Sequence, residues 1–123
     1  MKATELMIGD LIKIKGHLDY DKVQEIARDE NMQWYISFAC SATLFRAYEF
    51  EPIPLTPEIL EKNGWWFDTE DTWRHDEVNF TIEKWNGRYQ CYDINQIKLD
   101  SVHELQRALR CCGLWDIANN FVV

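Results

Sequence analysis

The densest group of side chains able to do chemistry lies between residues 68 and 77. The group consists of Asp68, Glu70, Asp71, His75, Asp76 and Glu77. Carboxylates and an imidazole are ligands for divalent metal ions, and the same groups can act as an acid–base pair. One hypothesis is therefore a small metal-dependent enzyme that uses this acidic and histidine cluster, with Asp68, Asp71 and His75 as candidate metal ligands.

The spacing of this group does not match a calcium-binding loop, because the internal glycine and the terminal glutamate of such a loop are absent. If the segment forms a hairpin, its side chains alternate between two faces and need not converge. The competing interpretation is a solvated turn whose charges protect a sheet edge. No catalytic residue is assigned from the sequence, and no cofactor is expected.

The four cysteines offer a second kind of reactive group: Cys40, Cys91, Cys111 and Cys112. They contain no CxxC pair, so a zinc site is not indicated. The N-terminal segment has no apolar signal-peptide core, so we expect a cytoplasmic protein with free thiols. The pattern favours Cys91 and Cys112 as small core residues and Cys111 as an exposed one.

Tryptophan supplies the candidate binding surface. Trp65, Trp66, Trp73 and Trp85 are the candidate binding residues, because Trp is enriched at protein-binding surfaces and can also stack on sugars. The competing interpretation is that most of these rings fill the core. Neighbours on a strand point to opposite faces, so one ring of the Trp65–Trp66 pair is expected to be exposed.

Charge and size limit the functions that these residues can serve. The chain has 123 residues, with 13 Lys and Arg against 21 Asp and Glu, giving a formal net charge of −8. Direct nucleic-acid binding is disfavoured, because it depends on cationic contacts to phosphate. Two partner hypotheses remain open: a partner protein, or a DNA-binding host enzyme inhibited by an acidic mimic of DNA. No apolar run is long enough to span a membrane, and a homodimer is compatible with the sequence.

Short strand patterns dominate both parts of the chain. Alternating apolar residues predict strands within 6–15, 23–27 and 32–39, and closely spaced strands of this kind favour a small curled sheet. The segment 65–94 predicts an antiparallel meander, with Asn86-Gly87 as its hairpin turn. We therefore predict an α+β fold with a mainly antiparallel, twisted sheet. An SH3-like lobe over 1–55 and a meander-plus-helix lobe over 56–123 would together make one domain, 1–123.

Two short helices complete the prediction, at about 56–63 and 101–112. Thr56 at the N-cap and Pro57 at the first helical position mark the start of the first helix, and Gly64 marks its end. Ser101 and Glu104 have the spacing of a capping box at the start of the second. The apolar segment after Gly113 is expected to be a final strand or a docked tail.

Three segments resemble a group of small uncharacterised bacterial proteins found in phage or prophage-like regions. The segments are 4–12 (TELMIGDLI), 53–65 (IPLTPEILEKNGW) and 101–106 (SVHELQ). The group has an "ELRIGNLV"-like strand, a "PIPLTEEWLLKFGF"-like segment and a "VHQLQNLYFALTG"-like helix. The present sequence departs from that pattern within 107–112 and in the Trp-rich meander.

The resemblance implies a phage-related setting and carries over no catalytic residue. Together with the acidic charge and the lack of a catalytic motif, it favours an accessory protein that acts by protein–protein interaction. The acidic DNA mimic and the metal-dependent enzyme are the alternatives.

Overall fold

The computed structural model describes residues 6–15, 20–28, 30–38, 41–46, 50–69, 71–91 and 97–123, with backbone alone for 41–46. The chain divides into two compact units, Met1–Ile53 and Pro54–Val123. Each unit contains an antiparallel sheet, and the three helices found among the described residues belong to the second unit, which confirms the α+β class. Across the described ranges, no helix has the length and apolar character needed to cross a lipid bilayer.

The N-terminal unit is a five-stranded antiparallel sheet. Its strands are β1 (Leu11–Ile14), β2 (Tyr20–Arg28), β3 (Trp34–Phe38), β4 (Ser41–Arg46) and β5 (Phe50–Glu51). The order across the sheet is β4-β3-β2-β1-β5, so the last strand returns beside the first. Pro52 and Pro54 follow β5, where neither interrupts the ladder.

One face of this sheet forms the core of the N-terminal unit. The buried residues of this core are Leu6, Ile12, Val23, Ile36, Phe38 and Phe50. Alternation predicts Ile8 on the same face as Ile12, and that prediction is wrong. Ile8 is 65% exposed because it lies with Gly9, whose φ is 95°, in a turn before β1 and not in a strand.

The C-terminal unit begins with a short helix and continues as a meander. Its elements are α1 (Pro57–Lys62), β6 (Trp65–Phe67), β7 (Thr72–His75), β8 (Ile82–Trp85), β9 (Arg88–Cys91), α2 (Val102–Cys111) and α3 (Trp115–Asn119). The sheet order is β6-β7-β8-β9, with every neighbouring pair antiparallel. Asn86 and Gly87 both have positive φ, at 51° and 78°, as the predicted two-residue hairpin turn requires.

The first predicted helix is confirmed with its cap. The Thr56 side chain accepts a hydrogen bond from the Ile59 backbone N–H at 3.3 Å, and Pro57 is the first helical residue. The second helix also begins at the predicted cap residue, Ser101, but the capping box does not form. The Ser101 hydroxyl donates to the Glu104 carboxylate at 2.7 Å, and it makes no capping hydrogen bond to the helix backbone.

The segment after Gly113 differs in part from its prediction. It contains α3, a helix of five residues that no apolar period or cap signal could reveal. The chain then ends as a docked tail, one of the two expected forms, with Phe121 buried in the unit's core. Cys112 is exposed, so its prediction as a core residue is wrong: it lies at the C-cap, beyond the last turn of α2.

Candidate functional site

The strand register decides which tryptophans reach the surface. Residues directly paired across an antiparallel sheet share one face. Trp65 pairs with His75, and Trp73 pairs with Ile82, so these residues lie on the core side of the C-terminal sheet. Trp65 is 2% exposed and Trp73 is 5% exposed. Two of the four candidate binding residues therefore have their rings in the core.

The other two candidates lie on the opposite face of the same sheet. Trp66 pairs with Arg74, and Trp85 pairs with Arg88. The two rings are 42% and 61% exposed, and both arginines are exposed. We call this surface, formed by Trp66, Arg74, Trp85 and Arg88, the Trp–Arg face.

Short polar side chains separate the two ends of the Trp–Arg face. Thr72, Glu83 and Gln90 occupy this middle region, and each is half-buried. From the spacing of strands and residues, the Cα atoms of Trp66 and Trp85 lie roughly 16 Å apart. That distance is within the diameter of an ordinary protein interface, so one partner can cover both rings.

Hydrogen bonds hold one end of the face in place. The Trp66 indole N–H donates to the Asp76 carboxylate at 2.9 Å. The Arg74 guanidinium donates to the Asp68 carboxylate through Nε at 2.6 Å. Side chains fixed in this way lose less conformational entropy when a partner binds.

The predicted metal ligands are divided between the two ends of the β6–β7 hairpin. Asp68 and Asp71 lie at its turn, whereas His75 lies at the far end of β7. The length of β7 alone separates these ends by about 10 Å. Glu70 lies outside the described residues. Within the described ranges, no group of three or more His, Cys, Asp or Glu side chains could hold a metal ion.

Both ring nitrogens of His75 are engaged. Nε2 donates to the Asn63 carbonyl at 3.0 Å, and Nδ1 accepts from the Glu77 backbone N–H at 3.1 Å. This pattern assigns the ring proton to Nε2. The ring also makes an edge contact with Trp65, at a centroid distance of 4.7 Å. His75 therefore joins α1, β6 and the residues after β7.

A surface groove adjoins this end of the hairpin. It has a volume of about 560 Å³ and is lined by Lys62, Asn63, Gly64, His75, Asp76, Glu77, Asp116, Ile117, Asn120 and Val122. Three of these residues are acidic and one is a lysine, so the groove has an excess of negative charge. Asp76 also contacts Trp66, which places the groove next to the Trp–Arg face.

The Asn63 side chain fixes the tail that forms one side of the groove. Its carboxamide accepts from the Val122 N–H at 2.8 Å and donates to the Val122 carbonyl at 2.7 Å. The same amide donates to the Ile59 carbonyl at 2.7 Å. The next residue, Gly64, has a φ of 89°, and a Cβ there would lie 2.6 Å from Nε2 of His75. The hydrogen bonds of Asn63 and the close packing of Gly64 against His75 therefore restrict this side of the groove.

The cysteines and His103 form no common site among the described residues. Cys91 is buried, as predicted, and Cys111 is exposed at the end of α2. His103 is buried, and its Nδ1 lies 3.0 Å from the Ser101 hydroxyl. Cys40 falls outside the described residues.

Sequence reasoning missed Arg74 and Arg88. An isolated arginine in a strand carries no local signal that marks it as a binding residue. The pairing register reveals them, since it sets each one beside an exposed tryptophan. No protein-family model, curated protein or solved structure matches this chain.

Proposed function

We propose that this protein is an accessory protein of a phage or prophage-like element, that it acts by binding another protein, and that it catalyses no reaction. The phage setting is supported by the sequence resemblance alone. The binding function is supported by one structural observation, the Trp–Arg face. That face exposes two Trp and two Arg side chains on a sheet whose opposite side is packed into a core.

The composition of the face favours a protein partner. Trp and Arg are the residue types that most often dominate binding energy at protein interfaces. Each exposed Trp on this face has an Arg directly beside it on the neighbouring strand. Among the described residues, Arg88 forms no ion pair, so its charge is available to a partner carboxylate. The partner we propose has apolar pockets for the two rings and a carboxylate opposite Arg88.

The acidic DNA mimic is the alternative, and the groove is the observation that favours it. Three carboxylates at one corner would suit a basic surface on a DNA-binding enzyme. In this alternative, DNA competes with the protein for the partner. In the leading proposal, DNA has no effect.

The test is affinity capture of the tagged protein from host lysate, with nuclease present, compared across variants. The decisive variant is Trp66→Ala/Trp85→Ala. The control is Trp115→Ala, which removes a ring that is 50% exposed and belongs to α3, not to the sheet. We expect a stoichiometric protein to be retained by the wild type and the control and lost by the double variant. Equal retention by all three would overturn the proposal.

A further inference from the structure

The groove beside the Trp–Arg face is lined by both apolar and acidic residues. Ile117 and Val122 supply the apolar part, and Asp76, Glu77 and Asp116 supply the carboxylates. All three carboxylates belong to exposed residues, on the segment after β7 and on α3. The groove therefore offers both apolar surface and negative charge to a ligand.

Two of the three carboxylates, those of Glu77 and Asp116, have no side-chain partner among the described residues. Within the part of the chain that the structure describes, neither one forms a hydrogen bond or ion pair through its side chain. Asp76 differs, because one of its oxygens accepts from the Trp66 indole. Lys62 is the one lysine or arginine along the groove, so it offsets a single negative charge.

We propose that this groove binds an arginine side chain of the partner protein. This inference rests on the proposed function and names the part of the partner that the groove receives. An arginine has an aliphatic stem that packs against apolar surface and a weakly hydrated, planar head that carboxylates bind through paired hydrogen bonds. The apolar residues of the groove suit the stem, and its carboxylates suit the head.

The size and charge of the groove support this occupant over others. A volume of about 560 Å³ exceeds that of one side chain and leaves room for the backbone that carries it. The net negative charge opposes a phosphate or a nucleic-acid backbone. A lysine would satisfy the charge, but its compact ammonium is more strongly hydrated and makes no paired contact with a carboxylate.

The binding test uses a defined probe, the peptide acetyl-Gly-Arg-Arg-Gly-amide, titrated into the full chain. The control peptide carries citrulline in place of both arginines, which keeps the shape and removes the charge. Backbone amide NMR shifts report the position of binding. We expect saturable shifts at Glu77, Asp116 and Asn120 with the arginine peptide and none with the citrulline peptide. A lysine peptide should bind several-fold more weakly.

Charge variants give effects of opposite sign. Glu77→Gln/Asp116→Asn should weaken the arginine peptide about tenfold, whereas Lys62→Gln should strengthen it several-fold. Glu61→Gln is the matched control, since Glu61 is an exposed carboxylate of the same unit that does not line the groove, and it should change nothing. Raising the salt from about 50 mM to about 500 mM should weaken binding several-fold.

Three results would overturn the inference: shifts spread over the surface, equal binding of the citrulline peptide, or equal effects of the groove variant and Glu61→Gln. The proposed function is tested separately, by Trp66→Ala/Trp85→Ala in the capture experiment. If the groove variant leaves peptide binding intact while the tryptophan variant abolishes capture, the arginine assignment fails and the protein-binding function stands. If the charge variants change peptide binding as predicted but Trp66→Ala/Trp85→Ala still captures the partner, the arginine assignment stands and the proposed role of the Trp–Arg face fails.

Discussion

The buried face of the C-terminal sheet presents Trp65 and Trp73 to the core, whereas the Trp–Arg face presents Trp66 and Trp85 to solvent. Trp65 and Trp66 are adjacent in the sequence, yet their exposed fractions are 2% and 42%. The difference arises because successive residues of a strand point to opposite sides. Residue type therefore does not decide which tryptophan stabilises the fold and which is available to a partner; strand parity does.

The indole N–H groups of the two faces also differ in their surroundings. On the buried face, the Trp65 indole N–H donates to the Phe80 carbonyl at 3.3 Å, and the ring packs near Phe80 and Phe121. On the other face, the Trp66 indole donates to an exposed carboxylate. A buried indole needs its partner to avoid an unsatisfied N–H, whereas water can replace the partner of an exposed one.

The largest expected effect separates these two neighbours directly. Trp65→Ala should lower the free energy of unfolding by about 3–5 kcal/mol, because it leaves a large cavity in the core. Trp66→Ala should lower it by less than about 1 kcal/mol. Urea unfolding followed by the remaining tryptophan fluorescence measures both. Equal losses would contradict the division between the two faces.

A substitution at Gly64 tests how tightly His75, on the buried face of the sheet, is packed. Gly64→Ala should cost about 2–3 kcal/mol, because it combines left-handed backbone with a Cβ placed 2.6 Å from Nε2 of His75. The matched control is Gly113→Ala. Gly113 has a similar φ of 79°, but a Cβ there meets no atom within 4 Å, so only the backbone cost of about 1–2 kcal/mol remains.

The difference between the two losses in the free energy of unfolding measures the cost of displacing His75. Thermal unfolding of both variants measures it. Gly64→Ala should also disturb the NMR shifts of His75 while leaving those of Trp85 unchanged. A smaller loss for Gly64→Ala than for Gly113→Ala would show that His75 does not constrain this position.

The Asn63 side chain gives the next effect in size. Asn63→Ala removes its hydrogen bonds to Ile59 and Val122 and should cost about 1–2 kcal/mol. Hydrogen exchange at the Val122 amide should become much faster, since that N–H loses its acceptor. Asn120→Ala is the control, because its side chain makes one exposed bond to the Asp116 carbonyl and should cost about half as much or less. Unchanged protection of Val122 in Asn63→Ala would contradict the docked tail.

The smallest effect appears at alkaline pH. Burial raises the pKa of the Tyr89 phenol, and the Glu58 carboxylate raises it further. The folded state therefore holds the phenol proton more tightly than the unfolded state. This contribution is complete below a pH of about 10, the ordinary tyrosine value, and is lost as the pH rises through the folded-state pKa.

Tyr89→Phe should remove that part of the pH dependence. The measurement is the urea midpoint of both proteins between about pH 8 and pH 11, compared as a difference so that other titrating groups cancel. The wild type should lose more stability than Tyr89→Phe over the upper part of this range. Parallel curves would show that Tyr89 is not the group responsible.

Local sequence signals predicted the elements whose causes are local. Thr56-Pro57 marked the start of α1, and Asn86-Gly87 marked the β8–β9 turn, because capping and positive φ depend on a few neighbouring residues. The capping box of α2 failed for a reason that is also local. The Ser101 hydroxyl bonds to the side chains of His103 and Glu104, two and three residues along the chain, and not to a helix N–H.

The candidate site was only half predictable, because it depends on pairing between strands. Alternation indicated that Trp65 and Trp66 point apart, but it could not state which one is buried. The register supplied that answer and set Arg74 and Arg88 beside the exposed rings. The groove was still less predictable, since it joins residues from α1, β7, α3 and the tail, and α3 has no sequence signature.

The most direct test of the central claim is the affinity of the captured partner, purified, for variants of the two faces. Calorimetry would compare Trp66→Ala, Trp85→Ala and Arg88→Ala with Ile82→Val, a change on the buried face at a residue that does not line the groove. The proposed function predicts that each variant of the Trp–Arg face raises the Kd by about tenfold or more. Ile82→Val should lower the free energy of unfolding by about 0.5–1.5 kcal/mol and leave the Kd unchanged. An affinity that follows stability across these variants, with no separate effect of the Trp–Arg face, would contradict it.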